Sequence, residues 1–280
     1  MGVRIVTDSA ADLSKSICER LKIGIASLIV TSEGESYEDT ALDKARFWQM
    51  AESEQGVGTS QPPTGAFRRM FQRIIDEGHE VVCLTVTSKH SGTYNSAWTA
   101  ARDFGDKVSI FDTLSLSLAQ GWQAVRAAEM AAAGKTRDDI LAMLNSLVDR
   151  TRVLIYLDST DFLRRGGRAS KLMPHIERLV KRLNLHPILD VIEGELKLYG
   201  VVRSRKKAIT RIAEQIAGLP RIEQLAVAHI RAEEAAQQLA AELSRLTGVA
   251  RDAIQIGEAG VVLASHAGKG VVAAMAVTSP

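Results

Sequence analysis

Cysteine is scarce in these 280 residues: Cys18 and Cys83 are the two, on what read as a helix and a buried strand. Thiols so few and so placed argue against a disulfide framework and fit a reducing cytosol. A charge excess is missing as well, since 35 basic and 33 acidic side chains leave a formal net charge of +2. That balance gives no electrostatic reason to expect nucleic acid or a membrane surface as the main partner. Long apolar runs are lacking too, for the most apolar stretch, 259–277, is broken by His266 and Lys269 and is too polar to span a bilayer. The opening "MGVRIVTDSA" has no apolar signal-peptide core, and Val6 stands where a myristoylation signal needs Ser or Thr. The expectation is a cytoplasmic protein with no nucleic-acid partner and no stable membrane insertion.

Several catalytic signatures are also missing. "AAAGKTRDD" ends like a phosphate loop, but the leading glycine position holds Glu129, so Gly134 reads as a helix C-cap with Thr136 starting the next helix. "GKGVVA" (268–273) has dinucleotide-like glycines but too little chain after it for the helix and acidic residue such a site needs. These absences count against a Rossmann-type sugar or nucleotide enzyme. The six histidines are scattered, without H-E-x-x-H or C-x-x-C spacing, so no metal is expected. A G-x-S-x-G elbow is missing too.

What is present is a globular composition, 46% hydrophobic and 24% charged, long enough for two domains. In the first half, β-branched runs such as "VRIVT" (3–7) and "EVVCLTV" (80–86) alternate with helix-period segments. The clearest helix is "GAFRRMFQRIIDEG" (65–78), with Phe67, Met70, Phe71, Ile74 and Ile75 as its stripe. Strand–helix alternation predicts a parallel sheet covered by helices. Near residue 150 the rhythm changes, and "HPILDVIEGELKLYGVVR" (186–203) reads as an antiparallel hairpin turning at Gly194. A helix at 204–217, a strand at 222–229, a helix at 231–246 and short terminal strands follow. The reading is an α/β protein: a Rossmann-like parallel-sheet domain at 1–150, then an α+β domain with a largely antiparallel sheet at 151–280.

Hydroxyls and glycines cluster at the ends of these elements. "TDSAADLS" (7–14) follows the first strand, "GTSQPPTG" (58–65) lies between two helices, and "TSKHSGTYNSA" (87–97) follows a later strand. "RRGGRAS" (164–170) opens the second domain, and "ASHAGKG" (264–270) lies near the end. Singly, such residues are most often turn or N-cap groups. Together they point to a ligand crevice, because the C-terminal strand ends of a parallel sheet converge.

Seven pieces stand in one order along nearly the whole chain: "VTDSAADL", "TSQP", "SGTYNSA", "DTLSLSLAQG", "LRRGGR", "RSRKKA" and "SHAGKG". In that order the chain closely resembles the DegV family of bacterial fatty-acid-binding proteins. Two departures stand out: Ala267 and Lys269 replace the threonine and proline of the family's last motif, and "TSKH" precedes the serine motif. The resemblance implies a long-chain fatty acid held between two domains and presented to a separate fatty acid kinase, with no catalytic residue and no cofactor in the carrier. It points to Thr59, Ser60, Ser91, Gly92, Thr93 and His266 as ligand-binding residues. Asp8, Ser9 and Arg168 are implied in support, and Arg203 and Arg205 as contacts for the kinase. Hydroxyls and backbone amides at a helix N-terminus suit a carboxylate at the mouth of an apolar tunnel, and with few aromatics an aliphatic lining is expected. The rival reading is a serine-dependent acyl hydrolase or transferase using Ser91 and His266; an acidic partner for that histidine is not identifiable.

Overall fold

The computed structural model describes residues 2–162 and 185–280. Contacts divide the chain into two compact units, Met1–Asp149 with Gly260–Val262, and Arg150–Ala259 with Leu263–Pro280.

The first unit runs β1 (Val3–Asp8), α1 (Lys15–Leu21), β2 (Gly24–Ala26), β3 (Ile29–Ser32), β4 (Glu35–Glu38), α2 (Lys44–Ala51) and β5 (Gly58–Ser60). It continues through α3 (Thr64–Asp76), β6 (Glu80–Thr85), α4 (Thr93–Ala101), β7 (Val108–Asp112), α5 (Ser117–Ala132) and α6 (Arg137–Arg150). Strands β2-β1-β6-β7 form an all-parallel sheet in that order. Alternation along β1 explains the layers: Val3 and Ile5 pack with Ala124, Ala127, Ile140 and Leu144 of α5 and α6. Val6 faces the other way, toward Phe67 and Phe71 of α3 and Ala97 and Ala100 of α4. A sheet buried on both faces needs apolar runs such as "VVCL", as here. Phe67 and Phe71 are fully buried on the α3 stripe, so truncating either to Ala costs about 3–5 kcal/mol. Ser14 and Asp43 start α1 and α2 by accepting backbone N–H groups of the first turn.

The second unit runs β8 (Thr151–Tyr156), β9 (His186–Ile192), β10 (Glu195–Val202), α7 (Arg205–Ala217), β11 (Ile222–Ile230), α8 (Glu233–Thr247), β12 (Gln255–Glu258), α9 (Val261–Ala267) and β13 (Val271–Thr278). Its sheet has the order β10-β9-β8-β13-β11-β12, antiparallel at each pairing except β11 with β12. Ile212 and Ile216 of α7 and Leu239 and Leu243 of α8 cover one face, over Leu154, Val227 and Ala274. The α/β class with a parallel sheet followed by a largely antiparallel one is the class expected from the sequence. The turn expected around Gly194 is a Glu193–Gly194 pair, both with positive φ (52° and 79°), and Glu33–Gly34 repeats it between β3 and β4 (54° and 83°). Positive φ at both positions matches the twist of a two-residue hairpin.

Two local readings differ. Gly58–Ser60, expected as part of a loop, is the short strand β5, paired antiparallel with β3. Near the C-terminus a helix, α9, precedes β13, and β13 is no short end strand: it sits between β8 and β11. Three residues are too few for a period to register, and the β-branched "VVLAS" of α9 looks like a strand until its surroundings decide otherwise.

Candidate functional site

In the parallel sheet the chain leaves β1 for β2 on one side and later returns to β6 on the other. The loops after β1 and β6 therefore part at their C-terminal ends, where α/β sheets bind ligands.

After β6, residues 87–92 lead into α4. Asp112 at the end of β7 fixes this turn, its carboxylate accepting the Ser88 N–H at 3.2 Å and that of Leu114 at 3.0 Å. Gly92 is the N-cap of α4 and offers no side chain to its amides. Ser91 does: its Oγ accepts the Thr93 N–H at 3.2 Å and lies 2.8 Å from the Thr93 hydroxyl. If Thr93 donates both its protons to Ser91, the Ser91 hydroxyl proton is directed onward, to an acceptor in front of the helix. The positive end of α4 backs that position and favours an anion.

The "TSQP" segment lies against this turn. A Cβ on Gly92 would come within 3.1 Å of the Gln61 side chain. The Ser96 hydroxyl donates to the Pro62 carbonyl at 2.7 Å and lies 3.2 Å from the Thr64 hydroxyl. Thr59 and Ser60 are on β5, held by β3. The structure thus brings Thr59, Ser60, Ser91, Gly92 and Thr93 into one region of the first unit, with Gln61 between the two motifs. Gln61 stood inside a quoted motif, but no role follows from a glutamine until its glycine neighbour is seen.

Asp8 and Ser9 belong to a polar floor in the same unit. Asp8 is fully buried and accepts N–H groups from Ala10 (3.0 Å) and Val86 (2.7 Å) and the Gln120 amide (3.1 Å). Burial nevertheless pushes its carboxyl up to about 6, the hydrogen bonds offsetting only part. The Ser9 oxygen accepts the Leu28 N–H at 2.9 Å, and Ser9 also bonds Asp39, which burial raises to about 6. Asp12 accepts the Ser117 hydroxyl at 2.5 Å and the Gly260 N–H at 2.8 Å. Burial again dominates and lifts it to about 7, against the smaller opposing pull of these two hydrogen bonds and, last, of Lys44. A cavity of about 400 Å³ opens beside this floor, walled by Asp8, Ser9, Leu13, Cys18, Ile25 and Thr40. Asp12 and Asp39 had no assigned role from the sequence, because nothing in a motif tells a buried acid from an exposed one.

Asp12 and Ser117 both adopt left-handed φ, 50° and 54°, as does Leu114 at 46°. Such backbone persists in non-glycine residues where surrounding bonds impose it, and it concentrates at functional sites. Here the Asp12–Ser117 and Asp112–Leu114 bonds impose it.

In the second unit, His266 lies in the last turn of α9. Arg203 is exposed just before α7, and Arg205 is its first residue, ion-paired with Asp158 at 3.1 Å. Arg168 lies outside the described residues. Among the described residues no group of three His, Cys, Asp or Glu side chains is placed to hold a metal ion, and no helix is long and apolar enough to cross a membrane.

The profile of the family described as "Uncharacterised protein, DegV family" matches residues 2–279. The chain belongs to the DegV family. A DegV domain-containing protein of Listeria innocua is 31% identical over 280 residues, covering 99% of both chains. Among solved structures, a DegV family protein of Thermus thermophilus, described by its fatty acid binding, superposes with a TM-score of 0.90 at 30% identity over 100% of both chains. DegV of Bacillus subtilis, described as a fatty acid binding protein, gives 0.86 at 30% identity, again over 100% of both.

Proposed function

We propose that this protein is a carrier that binds one long-chain fatty acid and presents its carboxylate to a separate fatty acid kinase, without catalysing a reaction itself. The observation that carries the reading is the Ser91–Thr93 hydroxyl pair at the N-terminus of α4, with the Thr59–Ser60 strand end beside it. The two solved relatives described as fatty acid binding proteins, similar over their whole length, support it. In this reading Ser91, Thr93 and one hydroxyl of Thr59 or Ser60 hold the carboxylate, and Gly92 leaves room for it. His266 contributes a further donor, and the tail lies in an apolar tunnel.

Magnitudes divide the labour. Burying about a dozen methylenes at ~0.8 kcal/mol each yields on the order of 10 kcal/mol before entropic costs. One hydrogen bond to a charged group contributes ~1.5–3 kcal/mol. The tail therefore sets affinity and the hydroxyls set orientation. Orientation matters for transfer, because the attacking carboxylate oxygen must meet the phosphoryl group in line.

The test is mass spectrometry of an organic extract of the purified protein, followed by transfer assays on variants. One predominant fatty acid at near-stoichiometric amount is expected. Ser91→Ala is expected to weaken binding by roughly ten- to a hundred-fold and to slow transfer further. Arg203→Glu is expected to abolish transfer with bound lipid unchanged. Transfer by Ser91→Ala at the wild-type rate would reduce the 87–97 turn to a helix cap. Sustained turnover of a chromogenic acyl ester, lost in the same variant, would favour the hydrolase.

A further inference from the structure

The first turn of α7 breaks an ordinary rule. It opens Arg205-Lys206-Lys207 with Arg203 just before it, and no acidic residue lies in that turn. Cations at the positive end of a helix are disfavoured, and a local rule broken without local compensation marks a place where something else is at work. The missing negative charge comes from Asp158, two residues beyond the end of β8. Its Oδ1 accepts Arg205 Nη2 at 3.1 Å and the Tyr156 hydroxyl at 2.8 Å. Burial first, then Asp158, pushes the Tyr156 phenol up, so it stays a neutral donor. The backbone carbonyl of Asp158 lies 2.9 Å from His186 Nδ1, and because a carbonyl only accepts, that nitrogen carries the hydrogen.

The same residue shapes the loop that follows His266. Gly270, at φ 85°, has no room for a side chain: a Cβ there would fall 2.7 Å from Asp158 Cβ and 2.9 Å from its Cγ. Gly268, at φ 77°, is closed off in the same way by the Phe162 ring, 2.6 Å away. The loop is thus moulded on the stretch 158–162, and α9, with His266 in its last turn, ends directly into it. Two of the ordered sequence pieces, the arginine run and the histidine–glycine run, meet at this one residue.

We infer that Asp158 is a positioning residue of the carrier, holding Arg205 inward with its charge and seating the Gly268–Gly270 loop, and hence His266, with its bulk. The link to ligand handling rests on the proposed carrier function. The cations of this turn that face outward are then Arg203, Lys206 and Lys207, all exposed, and Arg205 is structural support behind them.

Two variants separate charge from bulk. Asp158→Asn keeps the shape but has no charge for Arg205, whereas Asp158→Ala removes both. Hydrogen exchange of the 264–271 amides, exchange of the Arg205 Nη–H groups by NMR, palmitate dissociation and thermal midpoint are measured for each. Asp158→Ala is expected to speed loop exchange and palmitate dissociation about ten-fold, with the midpoint within roughly 3 °C of wild type, since the pair is half-exposed. Asp158→Asn is expected to free the Arg205 Nη2–H that Asp158 accepts while leaving loop exchange at the wild-type rate. Wild-type loop exchange in Asp158→Ala, or unchanged Arg205 exchange in both variants, would overturn the inference. If the wild-type protein takes up no palmitate, the carrier function fails, while the two exchange measurements still decide the role of Asp158.

Discussion

In the first unit Asp8 is buried and Asp12 and Asp39 are half-buried, with backbone amides, an amide side chain and hydroxyls as their bonding partners. In the second, Asp190 and Asp158 face the guanidinium groups of Arg152 and Arg205. Neutral donors offset part of the desolvation of a carboxylate, so the first three rise to about 6, 7 and 6. A guanidinium adds charge, yet at Asp190 burial still outweighs Arg152 and the carboxyl is pushed up. The difference is one of reversibility. Near neutral pH the acids of the first unit can take up or release a proton, while in the second unit each acid faces a fixed cation.

The largest expected effect tests that commitment. Asp190 is 3% exposed, and Arg152→Met would leave it buried without its counter-charge, at a cost of about 3–5 kcal/mol. Urea denaturation should show the loss at pH 8 and a smaller one as the pH is lowered, because burial already pushes the Asp190 carboxyl toward its protonated form. Arg152→Met combined with Asp190→Leu should recover most of it; an equal loss in the double variant would mean that packing, not charge, dominates.

A smaller effect tests reversibility. Carboxyls raised from 3.8 to about 6–7 stay protonated in the folded state over a window in which the unfolded chain has released its protons. Their contribution to stability is thus fully present below about pH 4 and is lost as pH rises through 6–7. Between pH 5 and 8 the thermal midpoint should fall, most steeply where these carboxyls release their protons at about 6–7. Asp12→Asn should remove a good part of that slope. A midpoint that rises over the same range would contradict the assignment. The smallest effect is the control: Lys15 and Glu19 pair at 3.8 Å with side chains 90% and 66% exposed. Glu19→Gln should change stability by less than about 0.5 kcal/mol at any pH.

How much of this was legible beforehand depended on range. The alternation that gives β1, β6 and β7 with α3, α4 and α5 is a local pattern, and so is the apolar stripe of Phe67, Phe71 and Ile74. The ordered motifs pointed to the family because order along a chain survives where spacing drifts. The pairing of β5 with β3, the helix under His266 and the burial of Asp12 and Asp39 were not legible. Each is decided by residues distant in sequence, as when Asp39 is raised by burial beside Ser9 rather than by anything in "SYEDT". Arg205 is the instructive case. In the sequence it is one cation in a run facing solvent, and only Asp158, 47 positions earlier by the numbering, turns it inward.

The hydrogen bond from Gly260 to Asp12 spans 248 residues, and it sets a timetable for synthesis. The first unit is otherwise contained in residues up to Asp149 and can collapse while the rest is still being made. Until residue 260 leaves the ribosome, however, Asp12 has Ser117 but lacks its backbone donor. At about 5–20 residues per second, the 111 residues from 149 to 260 take roughly 5–20 s. During that interval the nascent unit carries a half-buried acid whose last bond is still in the translation queue, and a fragment ending at 149 would remain in that condition permanently.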